Sequence, residues 1–203
     1  TPDIYVRDML LGTTTLVSAT TSGVGNAASS FSSISGDGRY VAFVSSASNL
    51  VTGDSNGTDD VFVRDMLTGT IQRANLSSSG TQANGAANAP SLSSDGRFVS
   101  FSSAASNLVS GDTGGFYDVF VRDLSLGTTS RVSVGMNGAQ GNAGSIDNVI
   151  SADGRYVAYL SLATNITSDP FSGTNALYVY DQALGTTRRA DISSTGASND
   201  YST

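Results

Sequence analysis

The sequence predicts an all-β protein made of β-propeller blades, each of them a sheet of four antiparallel strands. Three observations predict this fold class: a composition that disfavours helices, a unit that recurs every 58 residues, and four strand signals in each unit. About three and a half blades are present, as an open array or as part of a larger ring. We interpret residues 1–203 as a single propeller segment, with a half blade at 1–20 and blades at approximately 30–77, 88–135 and 146–193.

The amino-acid composition argues against helices. The chain contains no Lys, Glu, His, Cys or Trp, so every acid is Asp and every base is Arg. Glu and Lys favour helices, whereas Asp favours turns and helix caps. Because His, Cys and Lys are absent from the sequence, it offers no imidazole base, no thiolate nucleophile, no disulfide and no lysine Schiff base. We therefore do not expect an enzyme, and we expect only oxygen groups to be offered to a cation.

Two short strings mark the repeat. The string Asp-Gly-Arg-Tyr-Val and its close variant recur at a spacing of 58 residues, beginning at Asp37, Asp95 and Asp153. The string Asp-Ile-Tyr-Val-Arg-Asp and its variants begin at Asp3, Asp60, Asp118 and, in weakened form, Ala176. Such regular recurrence indicates structural copies stacked on one another.

Each unit carries four strand signals. In the second unit, Pro90–Ser93 leads into Asp95-Gly96, the strongest two-residue hairpin signal. The strand that follows, at Arg97–Ser102, corresponds to a segment of the first unit that is apolar on both faces, as in a covered strand. A loop of about a dozen residues, a Val-Phe-Val-Arg strand and a Gly turn then lead to a polar outer strand, Thr70–Leu76 in the first unit. This order describes a propeller blade. A β-solenoid has shorter coils without the Asp-Gly hairpin, and an immunoglobulin-like tandem needs a larger unit.

The charge and composition limit the partners and the location. The formal net charge is −7, the pI is near 4.2, and the arginines are scattered rather than clustered on a basic face, so we expect no nucleic-acid partner. No long apolar run predicts membrane insertion. Low charge with abundant Ser, Thr, Asn and Gly predicts an extracellular, cell-surface or periplasmic protein. Because the chain begins at Thr1 without a Met or a signal peptide, we interpret it as a mature or excised segment.

One unit carries a family resemblance along its whole length. The segments that carry it are Pro90–Gly96, Val99–Ser102, Val119–Asp123, Gly127 and Arg131–Ser133. Their order resembles the WD40-like, or PD40, repeats of TolB-type β-propellers, and the resemblance extends over essentially the whole chain. Two features differ from that family: its Trp is absent, and the loop between the second and third strands is enlarged by Asn-Leu-Val-x-Gly-Asp-x-x-Gly. The enlarged form resembles repeats of secreted or surface bacterial proteins, which implies a scaffold and binding role rather than a reaction.

The enlarged loop is the candidate metal site. Its first copy places oxygen ligands at alternate positions around a Gly turn, with an acid shortly after, as calcium loops do. The second copy keeps both acids and the third keeps only Asp169. The candidate ligands of Ca²⁺, the only cofactor that the sequence suggests, are Asp54, Asn56, Asp60, Asp112 and Asp118. The alternative is an Asx/Gly turn that closes a solvent loop, with Asp capping a strand, since the distal bidentate acid of a calcium loop is missing.

Two aromatic residues interrupt the repeat and are candidate contact residues. Phe116 and Tyr117 lie in the polar loop of the second unit, where loop aromatics can anchor an interface. Five other aromatic residues fall at strand positions and are predicted to lie in the core: Tyr5, Tyr40, Tyr156, Tyr159 and Tyr178.

The charged residues of the repeated strings are predicted to be structural. Because they occur copy after copy, the arginines of the Asp-Gly-Arg turns are expected to pair with nearby carboxylates and to support blade packing. The Arg-Asp pairs at Arg7, Arg64 and Arg122 are interpreted in the same way. Asn49, Asn107 and Asn165 are expected to bond the backbone of their own loops.

Three and a half blades do not close a ring, because propellers close with four to eight. An open β edge favours pairing, so the chain is either a piece of a longer chain or a subunit completed by neighbours, including further copies of itself. The function predicted is a non-catalytic extracellular structural or binding propeller that acts in scaffolding, adhesion or self-assembly and binds protein or glycan. The alternative is the propeller portion of a secreted polysaccharide-active or other hydrolytic enzyme. Propeller lyases of this general kind are expected to use His and a metal, and the chain has no His.

Overall fold

The structure is a computed structural model and describes residues 1–21, 23–169, 173 and 175–192. The strands of this part form three four-stranded and two two-stranded sheets, all with antiparallel pairing. Within each four-stranded sheet the strands lie in sequence order, as the blade pattern predicts. The predicted all-β fold class is confirmed.

The half blade comes first and contributes two strands to one sheet. A small second hairpin connects it to the first complete blade. The strands of these two hairpins are β1 (Tyr5–Asp8), β2 (Thr13–Leu16), β3 (Ala19–Thr20) and β4 (Gly23–Val24).

Three complete blades follow, each with four strands. Blade 1 contains β5 (Ser29–Ile34), β6 (Tyr40–Ser45), β7 (Asp60–Asp65) and β8 (Ile71–Arg73). Blade 2 contains β9 (Ala87–Leu92), β10 (Phe98–Ser103), β11 (Asp118–Asp123) and β12 (Thr128–Arg131). Blade 3 contains β13 (Ser145–Ile150), β14 (Tyr156–Ser161), β15 (Ala176–Asp181) and β16 (Thr186–Arg189). A single 3₁₀ turn, Met136–Gly138, is described, and no helix among the described residues is long and apolar enough to cross a membrane.

The core lies between the blades, which explains why the second strands are apolar on both faces. Phe43 of β6 belongs to the same apolar cluster as Val17, beside the half blade, whereas Val44 of the same strand belongs to a cluster that contains Leu92 and Phe101 of blade 2. Burying each such side chain stabilises the fold by about 1.5 to 3 kcal/mol. Each blade therefore shares apolar clusters with its neighbours on both faces.

Consecutive blades pack side by side. The first strands β5, β9 and β13 lie next to one another. The Asp-Gly turns are bonded in series, because Gly36 N–H donates to the Ser94 carbonyl (2.9 Å) and Ser94 N–H donates to the Ala152 carbonyl (2.8 Å). Equivalent turns of successive blades therefore lie next to one another, and the described sheets do not close into a ring.

The first strand of every blade contains a β-bulge at the same position. Its residue has a positive φ in all three blades: 47° at Phe31, 50° at Ala89 and 52° at Asp147. The register of the first two strands shifts at each of these sites. A left-handed non-glycine residue is uncommon, and its recurrence indicates a β-bulge that bends the first strand locally at the same position in every complete blade.

Candidate functional site

The enlarged loops and the connections between blades meet at one end of the strands, where an asparagine pair joins them. Asn84 N–H donates to Asn107 Oδ1 (3.0 Å), and Asn107 Nδ2 donates to the Gln82 carbonyl (2.8 Å). Asn84 in turn accepts from the N–H of Ser106 (2.9 Å) and donates to its hydroxyl (3.0 Å). The equivalent bonds form at the other two copies. The prediction that Asn107 and its equivalents bond their own loops is wrong, because they bond the connection that precedes the blade.

In blade 1 the structure brings the three predicted calcium ligands together, with a guanidinium among them. Asn56 Nδ2 donates to Asp60 Oδ1 (3.0 Å). Arg73 Nη2 lies 3.2 Å from Asp54 Oδ1, and Arg73 Nε lies 3.3 Å from Asp60 Oδ2. The side chains of Arg73, Asp54 and Asp60 are only 5%, 6% and 0% exposed. The positive charge inside this loop is thus supplied by the fourth strand.

Blade 2 repeats the arrangement. Arg131 Nη1 lies 3.5 Å from Asp112 Oδ1 and 3.3 Å from Asp118 Oδ2. Ser133 Oγ donates to Asp118 Oδ1 (2.6 Å), and Gln140 Nε2 donates to Asp112 Oδ1 (2.9 Å). Burial raises the pKa of both carboxyls, and the neighbouring arginine and hydrogen bonds oppose that rise.

In blade 3 the carboxylate that pairs with the fourth-strand arginine lies after the fourth strand instead of at the start of the third. Ala176 stands at the position of Asp60, and Asp191 stands at the position of Asn75. Arg189 Nε lies 2.6 Å from Asp191 Oδ1, so the fourth-strand arginine still has a carboxylate beside it. The predicted remnant of the loop in this copy runs into Pro170 and neighbouring positions that lie outside the described residues.

These contacts fit an arginine better than Ca²⁺. Ca²⁺ needs six to eight oxygen ligands. Two of the carboxylates in blade 1 already lie beside Arg73, and a guanidinium placed there would repel a second cation. Across the described ranges, no group of three or more acidic side chains is arranged to hold a metal ion. Arg73, Arg131 and Arg189 recur at a spacing of 58 residues, a signal in the sequence that marks these arginines as repeated positions but does not show which acids they meet.

The Asp-Gly-Arg turns form a second repeated ionic group at the opposite end of the strands. Arg39 Nη2 lies 2.8 Å from Asp65 Oδ2, and the guanidinium lies 4.9 Å from the centroid of the Tyr40 ring. The Arg39 hydrogen bond lowers the pKa of Asp65 well below its usual range. Equivalent pairs join Arg97 to Asp123 and Arg155 to Asp181. The arginines therefore pair with carboxylates as predicted.

Arg64 and Arg122 join neighbouring blades. Arg64 Nη1 donates to the Val17 carbonyl (3.1 Å), beside the half blade. Arg122 Nη1 donates to the Ser77 carbonyl of the preceding connection (3.0 Å). These bonds fit the predicted structural role of the Val-Arg-Asp strings.

The two predicted contact aromatics differ in exposure. Phe116 is 44% exposed, and Tyr117 is half-buried. The Phe116 ring lies over Gly114, where an added Cβ would be 2.9 Å from Phe116 Cδ2 and 3.0 Å from Gln140 Nε2. Part of the Phe116 ring is therefore exposed on the loop surface. The rest of the ring packs against Gly114, where a larger residue would clash with it.

The predicted core tyrosines are only partly buried. Tyr159 and Tyr178 are buried, as predicted, whereas Tyr40 is half-buried. The prediction is wrong for Tyr5 and Tyr156, which are 59% and 39% exposed. Both lie on end faces of the array, where no described blade covers them.

Comparison with known proteins identifies the architecture. No protein-family model and no curated protein sequence matches the chain. The structure is similar to TolB from Acinetobacter baumannii, with 19% identity over 92% of this chain and 37% of that one, and a TM-score of 0.55. The chain has a β-propeller fold.

Two further propeller structures resemble it. One is the β-propeller domain of the Trilobed protease from Pyrococcus furiosus, with 12% identity, 80% of this chain, 41% of that one and a TM-score of 0.51. The other is an oligogalacturonate lyase in complex with manganese, with 13% identity, 93% of this chain, 47% of that one and a TM-score of 0.55. The propeller segment thus spans less than half the length of these structures, and identities at this level show the fold alone.

Proposed function

We propose that this propeller segment is a non-catalytic structural and binding module outside the cytoplasm, whether extracellular, at the cell surface or in the periplasm. Its role is scaffolding, adhesion or self-assembly, with protein, glycan or further copies of itself as partners. The observation that carries this proposal is that ionic groups are paired with one another at the same positions in blade after blade. Arg73 with Asp54 and Asp60, and Arg131 with Asp112 and Asp118, are the clearest cases.

Pairing of this kind supports a structural role for the acids. A general acid or base must lie within hydrogen-bond reach of the substrate. Asp60 has a fully buried side chain, and its carboxylate lies against Arg73 and Asn75. Carboxylates held in this way stabilise the loops rather than face a reacting group.

The loop surface around Phe116 is the binding face that the sequence and the geometry favour. Partly exposed aromatic rings supply large contact areas to proteins, and they stack on sugar rings. The net charge of −7 argues against a nucleic-acid partner.

The second candidate function is the propeller portion of a larger secreted enzyme that acts on polysaccharides or other substrates by hydrolysis. The similarity to the propeller domain of a protease and to an oligogalacturonate lyase favours it. In that case the reacting groups would lie outside the described blades, and the propeller would position substrate.

The test combines turnover with binding. The purified 203-residue chain is incubated with polygalacturonate and with casein, and we expect neither unsaturated uronides nor cleaved peptides. Turnover that disappears when a single Asp of the chain is replaced would overturn the proposal in favour of an enzyme.

Binding is measured on a printed array of glycans and extracellular proteins. We expect binding that Phe116→Ser removes and Leu67→Ser leaves intact. Leu67 is a suitable control because it is 76% exposed in the turn at the other end of β7. Equal binding by both variants would overturn the assignment of the binding face.

A further inference from the structure

Three Asn-Gly pairs occur in the chain, at Asn56-Gly57, Asn84-Gly85 and Asn137-Gly138. In such a pair the glycine nitrogen can attack the side-chain carbonyl carbon of the asparagine, which closes a cyclic imide and releases ammonia. Glycine favours this attack because no Cβ hinders the nitrogen or restricts the backbone. In a folded protein the reaction therefore depends on whether the asparagine side chain can turn and whether the local backbone can open.

The pair Asn84-Gly85 is held in place by the loop of blade 2. Asn84 Oδ1 accepts from the N–H of Ser106 (2.9 Å), and Asn84 Nδ2 donates to the Ser106 hydroxyl (3.0 Å). A Cβ on Gly85 would be 2.9 Å from the carbonyl carbon of Ala104, so this glycine packs directly against backbone. Both partners of the reaction are therefore fixed.

The pair Asn56-Gly57 is held by the loop of blade 1. Asn56 Nδ2 donates to Asp60 Oδ1 (3.0 Å) and to the Ala83 carbonyl (3.1 Å). Asn56 Oδ1 accepts from the N–H of Thr58 (3.3 Å). The side chain would have to break these bonds before Gly57 could attack it, so the fold protects this pair as well.

The pair Asn137-Gly138 differs, because both of its residues are exposed. They lie in the 3₁₀ turn Met136–Gly138, none of whose residues is buried. Among the residues that the structure describes, none forms a hydrogen bond with the Asn137 side chain. The turn borders a cavity of about 780 Å³. The Asn137 side chain can therefore rotate, and water has access to it.

The backbone of this turn is also weakly held. Asn137 has a left-handed conformation (φ 61°, ψ 23°), which is uncommon for a residue with a side chain. Gly138 N–H donates to the Gly135 carbonyl (3.1 Å), and Ala139 N–H donates to the Met136 carbonyl at 3.4 Å. Exposed backbone bonds with few buried contacts open more readily than the core does. Opening this single turn releases the Gly138 nitrogen for attack.

We infer that Asn137 is a site of spontaneous deamidation and that the fold protects Asn56 and Asn84. The Gly138 nitrogen forms a bond to Asn137 Cγ, the bond from Cγ to the side-chain nitrogen breaks, and that nitrogen leaves as ammonia with the Gly138 amide proton. Water then adds to one of the two imide carbonyls and opens the ring. The products are aspartate and isoaspartate, with one water consumed for each ammonia released and no change of oxidation state.

The modification changes the junction between blades 2 and 3. The Met136 N–H donates to the Asn165 carbonyl of blade 3 (3.4 Å), and the same carbonyl lies against Gly135, where a Cβ would clash with it. Isoaspartate adds one atom to the main chain before Gly138 and places a negative charge in the turn. The turn then loses the geometry of its hydrogen bonds, so we expect the modified protein to unfold at a lower temperature.

The test uses peptide mapping of the aged protein. The 203-residue chain is incubated in neutral buffer and cleaved after arginine, which places the three Asn-Gly pairs on separate peptides, 40–64, 74–97 and 132–155. Deamidation replaces an NH₂ by an OH and is located by tandem mass spectrometry. We expect peptide 132–155 to convert at Asn137 about tenfold faster or more than the other two pairs, because their side-chain hydrogen bonds must first break.

Two controls separate the fold from the local sequence. In chain unfolded by urea, the three pairs should convert at similar rates, since the protection comes from the folded loops. Asn137→Ser has no amide at this position, so its peptide 132–155 should stay unmodified and its melting temperature should not fall during the same incubation. Equal rates at the three pairs of the folded protein would overturn the inference. An unmodified Asn137 under conditions in which the unfolded chain reacts would also overturn it, and a fall in melting temperature that persists in Asn137→Ser would overturn the consequence for the junction.

Discussion

Gly96 of blade 2 lies directly against the ring of Tyr40 of blade 1. A Cβ on Gly96 would be 2.1 Å from Tyr40 Cδ2, and on Gly154 it would be 2.4 Å from Phe98 Cδ2. Glycine is therefore required twice in these turns, once for the positive φ and once for the approach of the neighbouring blade. Gly38 has the same turn conformation, with φ of +74°, but nothing lies within 4 Å of its Cβ position.

The first prediction separates these two requirements. Gly38→Ala should cost about 1 to 2 kcal/mol of unfolding free energy through backbone strain alone. Gly96→Ala should lose that amount and about 1 to 3 kcal/mol more, because the methyl group overpacks the blade interface. Thermal melts report the difference, at roughly 2 to 4 °C per kcal/mol for a chain of this size. Equal losses in the two variants would argue against tight contact between the blades.

The second prediction concerns the buried arginine of blade 1. Arg73→Met leaves the buried carboxylates of Asp54 and Asp60 without their counter-charge and should cost about 3 to 5 kcal/mol. Arg39→Met removes a pair whose arginine is 39% exposed, and its effect should be much smaller. Urea denaturation measures both. A loss at Arg39 as large as that at Arg73 would contradict the charge pairing described for the loop.

The third prediction tests calcium. A bound ion at a hundred times its dissociation constant adds about 2.7 kcal/mol of stability. Because Arg73 and Arg131 already lie beside the candidate ligands, we expect the same melting temperature with Ca²⁺ and with chelator. A rise with Ca²⁺ that Asp54→Asn abolishes would restore the calcium site predicted from the loop sequence.

The fourth prediction is a pH dependence. The pKa of Asp65 is lowered by the Arg39 hydrogen bond, and the pKa of Asp181 is lowered by the Arg155 hydrogen bond, from an ordinary value of 3.8. These two ionised carboxylates therefore stabilise the folded state above pH 3.8, and this stabilisation is lost as the pH falls through their lowered pKa values. Burial raises the pKa of Asp118, so its contribution has the opposite sign: it is present at low pH and lost as the pH rises through the raised value.

Thermal melts over the acid range check this balance. We expect the melting temperature to fall steeply below about pH 4, because the lowered carboxyls outnumber the raised ones. Asp65→Asn should make that fall shallower, and Asp147→Asn should not. If the melting temperature of Asp65→Asn falls with decreasing pH as steeply as that of the unsubstituted protein, groups other than Asp65 cause the loss of stability in acid.

Much of the fold could be predicted because the chain repeats itself. The turn at Asp95-Gly96 and the apolar strand after it predicted the hairpin of the first two strands, and the structure pairs Val99 with Leu92 there. The candidate site was predicted less well. The spacing within one loop predicted that Asp54, Asn56 and Asp60 lie close together, as they do in the structure. It did not predict Arg73, because this residue belongs to the fourth strand and meets the loop only after folding.

The sequence by itself determined the all-β fold, the blade repeat and the positions of its turns, because composition and hairpin chemistry are local properties of the chain. The tertiary structure decided which charges meet. It placed Arg73 beside two carboxylates, supplied Arg189 with Asp191 in place of the missing acid at Ala176, and left Tyr5 exposed while burying Tyr178. The physical reason is that charge pairing and burial depend on neighbouring strands and blades, whose side chains are distant along the chain and close only after folding.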